Sequence, residues 1–142
     1  MVEDSASTRA FVRAVLEDAA FNDAFDGIDV SEATCGFDAM RMLPRNRYDL
    51  IVTDLNMADI NGLELIHFIR KSEHYRDTPL VIISTQNTKS DVERGLMLGA
   101  NAYVPKPFTP DQLRETCGRL LKAGMNPSLG LDKPGAVKPG AP

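Results

Sequence analysis

The sequence predicts an α/β fold in which a parallel sheet is layered between helices. Short runs such as 49–54 and 79–84 are apolar at consecutive rather than alternate positions, the pattern of strands covered on both faces. Segments of helical periodicity separate these runs, and alternating strands and helices build a parallel sheet. Asp54, Ser84 and Lys106 each fall at or just past the carboxyl end of an expected strand, where open parallel sheets form their sites.

The first helix is expected over 8–19, with Phe11, Val12, Val15, Leu16 and Ala19 on one face. The stretch 20–27 reads as its extension, with Phe21 and Phe25 turned inward. A more polar strand follows over 28–33, then a short helix over 36–43 that stops at Pro44. The run 49–54 is the strongest strand. A helix over 63–70 presents Leu63, Ile66 and Ile69 or Phe68, and leads to the strand at 79–84. Residues 90–98 form a helix expected to carry Val92, Leu96 and Met97 on its face, closed by Gly99 as a C-terminal cap. A short strand at 102–105 runs into Lys106, Pro107 and Phe108. Thr109, Pro110 and Asp111 open the last helix as a cap, a first-turn proline and an acid. That helix buries Leu113, Cys117, Leu120 and Leu121. From Gly124 onward proline and glycine are too frequent for a packed element, so the chain divides into a domain at 1–123 and a flexible tail or linker at 124–142.

The chain has 142 residues, enough for one domain with a real core. Its net charge of -4, without a broad basic patch, argues against direct binding of nucleic acid. No apolar run approaches the roughly 18 residues that span a bilayer. Glu3 and Asp4 stand where a signal peptide would carry positive charge. A cytoplasmic protein without membrane contact is therefore expected. Cys35 and Cys117 lie far apart, outside any metal-ligand spacing, and read as packed side chains in a reducing compartment. His67 lies mid-helix and His74 in a polar loop, so both read as structural.

In a parallel sheet Glu3, Asp4 and Asp54 converge at one edge. Converging carboxylates repel one another, and a hard divalent cation relieves that cost. Magnesium suits a few carboxylates together with water and a phosphate oxygen. Lys106 supplies a positive point charge and Ser84 a hydroxyl at the same edge. Taken singly, each has a plainer reading. Glu3 and Asp4 are surface acids near a terminus, Asp54 is a turn cap, Ser84 ends a strand, and Lys106 is solvated. The joint placement at three strand ends favours a site.

The chain resembles the receiver domain of bacterial two-component response regulators, of the chemotaxis-regulator type. The resemblance runs from about Val2 to Leu121. It is carried by 2–5 (VEDS), 50–57 (LIVTDLNM), Asn61 and Gly62, 79–84, Gly99 and Ala100, and 103–108 (YVPKPF). It implies a doubly wound five-stranded sheet in the order 2-1-3-4-5. It makes Asp54 the phosphoacceptor and Asp4 a direct ligand of Mg2+, with Glu3 assisting and the Asn56 carbonyl completing the protein ligands. Lys106 then pairs with the acceptor carboxylate or the phosphoryl group. Ser84 follows the phosphoryl oxygen, and Tyr103 turns inward as that hydroxyl moves. Gly62 permits the turn after the acceptor loop, and the Lys106–Pro107 bond matches one that is cis in the family.

Some positions depart from the family pattern. Only Met1 and Val2 precede the acidic pair, so the first, central strand is expected to be truncated, Asp4 poorly fixed and stability marginal. Glu3 replaces the commoner aspartate, Ala58 stands where proline is usual, and Thr85 is placed to hinder attacking water. The implied phosphodonor is a histidine kinase or a histidine phosphotransfer protein. The implied output surface is 90–121, offered to a downstream partner or a second copy. The rival reading is a degenerate receiver that docks or dimerises without phosphate.

Overall fold

The structure, a computed structural model, describes residues 1–85 and 88–125. Its helices are α1 (Ala6–Leu16), α2 (Ala19–Ala24), α3 (Gly36–Met42), α4 (Gly62–Lys71), α5 (Lys89–Met97) and α6 (Pro110–Met125). Its strands are β1 (Ile51–Asp54), β2 (Leu80–Ser84) and β3 (Ala102–Pro105). The three strands form a parallel sheet in the order β1-β2-β3, with Asp54 beside Ile83 and Ser84 beside Pro105. Val2 adds an isolated parallel bridge to Thr53 on one side and to Ala33 on the other. Its N–H donates to Val52 O at 2.7 Å and its carbonyl accepts from Asp54 N at 3.1 Å. Among the described residues three strands are found, and Val2 stands between residue 33 and β1.

Alternation along the strands sends side chains to two cores. Ile51, Leu80 and Ile82 meet Leu65, Ile66 and Ile69 of α4 and Ala39 of α3. Val52, Val81, Ile83 and Val104 meet Val12, Val15 and Leu16 of α1, Phe21 of α2, and Leu113 and Cys117 of α6. Both faces of the sheet are covered, which is why β1 and β2 carry apolar residues at consecutive positions before their polar ends. Burial of a side chain of this size contributes about 1.5–3 kcal/mol, so the paired cores hold the strand ends in place.

Several local expectations are corrected. The stretch 20–27 does not extend α1. Asp18 breaks the helix with φ -56 and ψ 138, and α2 is a separate element. Phe21 is buried there and Phe25 packs against the same core, as expected. The segment 28–33 contributes only the Ala33 bridge; Arg13 donates to its Val30 carbonyl, and Asn22 accepts from Ile28 N. On α5 the residue turned to the sheet is Gly95, while Leu96 is 43% and Met97 85% exposed. Phe11 is half out of the core and packs on Phe108 with ring centroids 5.5 Å apart. Gly99 closes α5 with φ +121, as the sequence predicts. Gly124 and Met125 belong to α6, and the remainder of the expected tail lies outside the described residues. Among the described residues no helix is long and apolar enough to cross a membrane.

Candidate functional site

The carboxyl ends of the strands collect the polar groups. Asp54 ends β1 and is buried, as are Glu3 and Ser84. Asp54 Oδ1 accepts the backbone N–H of Leu55 at 2.6 Å and of Asn56 at 3.2 Å. Asp54 Oδ2 accepts from Lys106 Nζ at 3.0 Å. The same Lys106 Nζ reaches Glu3 Oε1 at 2.8 Å. Glu3 Oε2 accepts from Ser5 N at 2.9 Å, so both Glu3 oxygens are engaged. These hydrogen bonds satisfy charges that burial would otherwise penalise strongly.

Lys106 is placed by what precedes and follows it. Its backbone N–H donates to Ser84 O at 2.9 Å, just past the β2–β3 pairing. The Lys106–Pro107 peptide is cis. Burial pulls the Lys106 ammonium down, but hydrogen bonds to Glu3 and Asp54 outweigh it and leave its pKa raised. Burial pushes the Glu3 carboxyl up, against the Lys106 and Ser5 hydrogen bonds. Lys106 therefore serves as the counter-ion of two sheltered carboxylates.

Gly62 brings α4 against the acceptor loop. Its N–H donates to Leu55 O at 3.0 Å. A Cβ at that position would stand 2.6 Å from both Asp54 O and Leu55 Cα, so the close approach requires glycine. Ser84 lies buried at the end of β2. The Tyr103 hydroxyl is buried without a full hydrogen bond. Burial raises its pKa, and the Ser84 side chain partly offsets that rise. The Tyr103 hydroxyl thus lies inside and not in solvent. Asn56 turns its side chain to solvent, and Thr85 is exposed beside Ser84.

Glu3, Asp4 and Asp54 each offer a carboxylate oxygen, and these oxygens lie within 4.8 Å of one another. Three hard oxygen donors at one edge fit Mg2+, which keeps several waters and takes one or two carboxylates with a phosphate oxygen. Asp4 is exposed and open to a cation, whereas Glu3 is sealed in.

The sequence reading brought these residues to one edge but missed the Glu3–Lys106 ion pair. The signal was the longer stem of Glu3 in place of aspartate. It also passed over Arg9, whose NH1 donates to Glu3 O at 2.8 Å and whose Nε lies 3.3 Å from Glu32. A basic residue one turn into a helix carries no mark of such a role.

Comparison with known proteins places this geometry. The response regulator receiver domain family matches residues 1–117. The chemotaxis protein CheY homolog of Campylobacter jejuni is 34% identical over 125 residues, covering 87% of this chain and 92% of that protein. The solved chemotaxis response regulator CheY4 of Vibrio cholerae superposes with a TM-score of 0.74 at 31% identity, covering 84% of this chain and 93% of that one. The receiver domain of a Pseudomonas aeruginosa sensor histidine kinase, solved with a magnesium ion in its active site cleft, gives a TM-score of 0.72 at 26% identity, over 85% and 93% of the two chains. A match of this extent, on a parallel sheet whose strand ends gather Asp54, Lys106 and the acidic pair, makes the chain a member of the response regulator receiver domain family.

Proposed function

We infer that this chain accepts a phosphoryl group on Asp54 from a phosphohistidine of a histidine kinase or phosphotransfer protein. The supporting observation is the Asp54 carboxylate, buried yet held on both oxygens, with Lys106 beside it and two further acids within cation-sharing distance. An Asp54 oxygen attacks phosphorus, the new O–P bond forms as the P–N bond breaks, and the imidazole leaves. Lys106 stays close to the charge that spreads over the phosphoryl oxygens. Asp4, Asp54 and the Asn56 carbonyl, with Glu3 assisting by charge, are the groups that would hold Mg2+. When bound, the cation neutralises phosphoryl charge and orients the donor. Later attack by water on phosphorus returns the free carboxylate.

Ser84 supplies a hydroxyl for one phosphoryl oxygen. Its shift toward that oxygen changes what the Tyr103 hydroxyl meets, and biases the surface 90–121 between two states. The exposed Leu96 and Met97 lie on that surface and suit a downstream protein or a second copy. The two Val2 bridges support a five-lane order 2-1-3-4-5 in which residues 1–3 form a short central lane. We assign the receiver to residues 1–125, through the end of α6, and the residues beyond it to a tail or linker, in a cytoplasmic protein. No feature of the described site favours the phosphate-independent alternative.

The test is chemical. After incubation with a small acyl phosphate and Mg2+, the peptide containing Asp54 should carry one hydroxylamine-labile phosphoryl group. A stable phosphoryl group, or one on another peptide, would overturn the assignment.

A further inference from the structure

Five residues past Asp54, a second carboxylate ties the acceptor loop to a different element. Asp59 Oδ2 accepts the Phe37 backbone N–H at 2.9 Å. Its Oδ1 accepts that of Gly36 at 3.1 Å and that of Ile60 at 2.8 Å. The Phe37 amide, ahead of the Cys35 side chain and the other amides, holds the carboxyl at about 2, so Asp59 is ionised wherever the protein works. An apolar contact runs alongside. A Cβ on Gly36 would run into Ile60 Cγ2, so Ile60 seats on bare backbone at the start of α3.

The loop between β1 and α4 has few other fixings. Leu55 is held by Gly62, and Asn61 caps α4 through Leu63 N at 2.8 Å. Between them Met57 packs on the core, while Asn56 and Ala58 face solvent. Ala58 offers none of the stiffness of the proline usual there. Asp38, in the first turn of α3, accepts from Thr34 N at 3.3 Å, ahead of the helix, so the Gly36 and Phe37 amides that open α3 are met from the loop by Asp59. The Asp59 contact therefore serves the loop as well as the helix.

We propose that Asp59 is a positioning residue, which staples the acceptor loop to α3 and so sets where the Asn56 carbonyl and the Asp54 carboxylate stand for the cation and the phosphoryl group. This rests on the reading of Asp54 as phosphoacceptor. Asp59 touches neither reacting atom; it acts through the backbone of residues 56–58. The Gly36–Ile60 seat acts on the same loop from the α3 side.

Calorimetric Mg2+ affinity and phosphorylation rate as a function of Mg2+ test this in the wild type, Asp59→Ala, Asp59→Asn and Gly36→Ala. Asp59→Ala and Gly36→Ala should each weaken Mg2+ binding about tenfold and raise the Mg2+ needed for half-maximal rate in step. Saturating Mg2+ should restore the rate. Asp59→Asn, whose amide oxygen still accepts one backbone N–H, should fall between. Wild-type Mg2+ affinity in Asp59→Ala would overturn the proposal. So would a rate loss that tracks thermal stability and persists at saturating Mg2+. If the wild type binds Mg2+ but takes no phosphate, the Asp54 reading falls, and the affinity comparison alone decides the role of Asp59.

Discussion

Lys106 Nζ stands 3.0 Å from Asp54 Oδ2 and shares its charge with Glu3 Oε1 at 2.8 Å. One cation thus balances two sheltered carboxylates, and its removal leaves them facing each other. Lys106→Met, with a stem of similar length, should slow phosphoryl uptake by about 100-fold. Initial rates from intact mass would show it, and a rate equal to that of the wild type would contradict it.

Gly62 has no room for a side chain. Gly62→Ala places a methyl group on the Asp54 carbonyl and the Leu55 backbone, both at 2.6 Å before any movement. Neither neighbour is a flexible side-chain end. The variant should lose about 1–3 kcal/mol in urea unfolding. It should also phosphorylate more slowly under conditions where it is folded. An unchanged midpoint would show that the loop can move away freely.

Asp59 gives a pH signature. Its carboxyl lies at about 2 in the folded chain against an ordinary 3.8. The lowered value means that its stabilising contribution is present above the ordinary value and is lost as pH falls through the folded one. The gap in melting temperature between wild type and Asp59→Asn should therefore be steady near neutral pH and close between 3.8 and about 2. A gap that holds constant down to the lower value would contradict this.

Burial alone pushes the Cys117 thiol up to about 12, while Cys35 is half-buried. Reactivity needs the thiolate and access to it. Alkylation of the native protein near neutral pH should modify Cys35 and spare Cys117, and denaturant should open both. Modification of Cys117 at the same rate in the native state would count against its place on the buried face of α6.

Much of the site was legible because its residues end apolar runs. Asp54 and Ser84 each close a run whose every position is buried, and consecutive apolar residues mark such strands directly. The face of α5 was misread because a glycine makes its contact. A Cβ on Gly95 would stand 2.5 Å from Ile82 Cδ1, so the helix lies close through its smallest residue and sends Leu96 and Met97 outward. Apolar spacing cannot register an interface made by an absent side chain. The segment 28–33 meets residues 1–3 only at its end, through Ala33 N–H to Met1 O, Glu3 N–H to Ala33 O and the Met1 ammonium to Ser31 O, while Arg13 and Asn22 hold the rest of its backbone, and strand patterning says nothing of those side-chain contacts. The Glu3–Lys106 pair joins residues 103 positions apart. Only the fold makes them neighbours.

Every role proposed for the site depends on Asp54 accepting phosphate. Intact mass after incubation with a small phosphodonor tests it most directly, with Mg2+ or with a chelator, on the wild type and on Asp54→Ala. A labile gain of one phosphoryl group is expected in the wild type with Mg2+ but not with chelator, and none in Asp54→Ala. An equal gain in the folded Asp54→Ala protein, or no gain in a folded wild type, would contradict it.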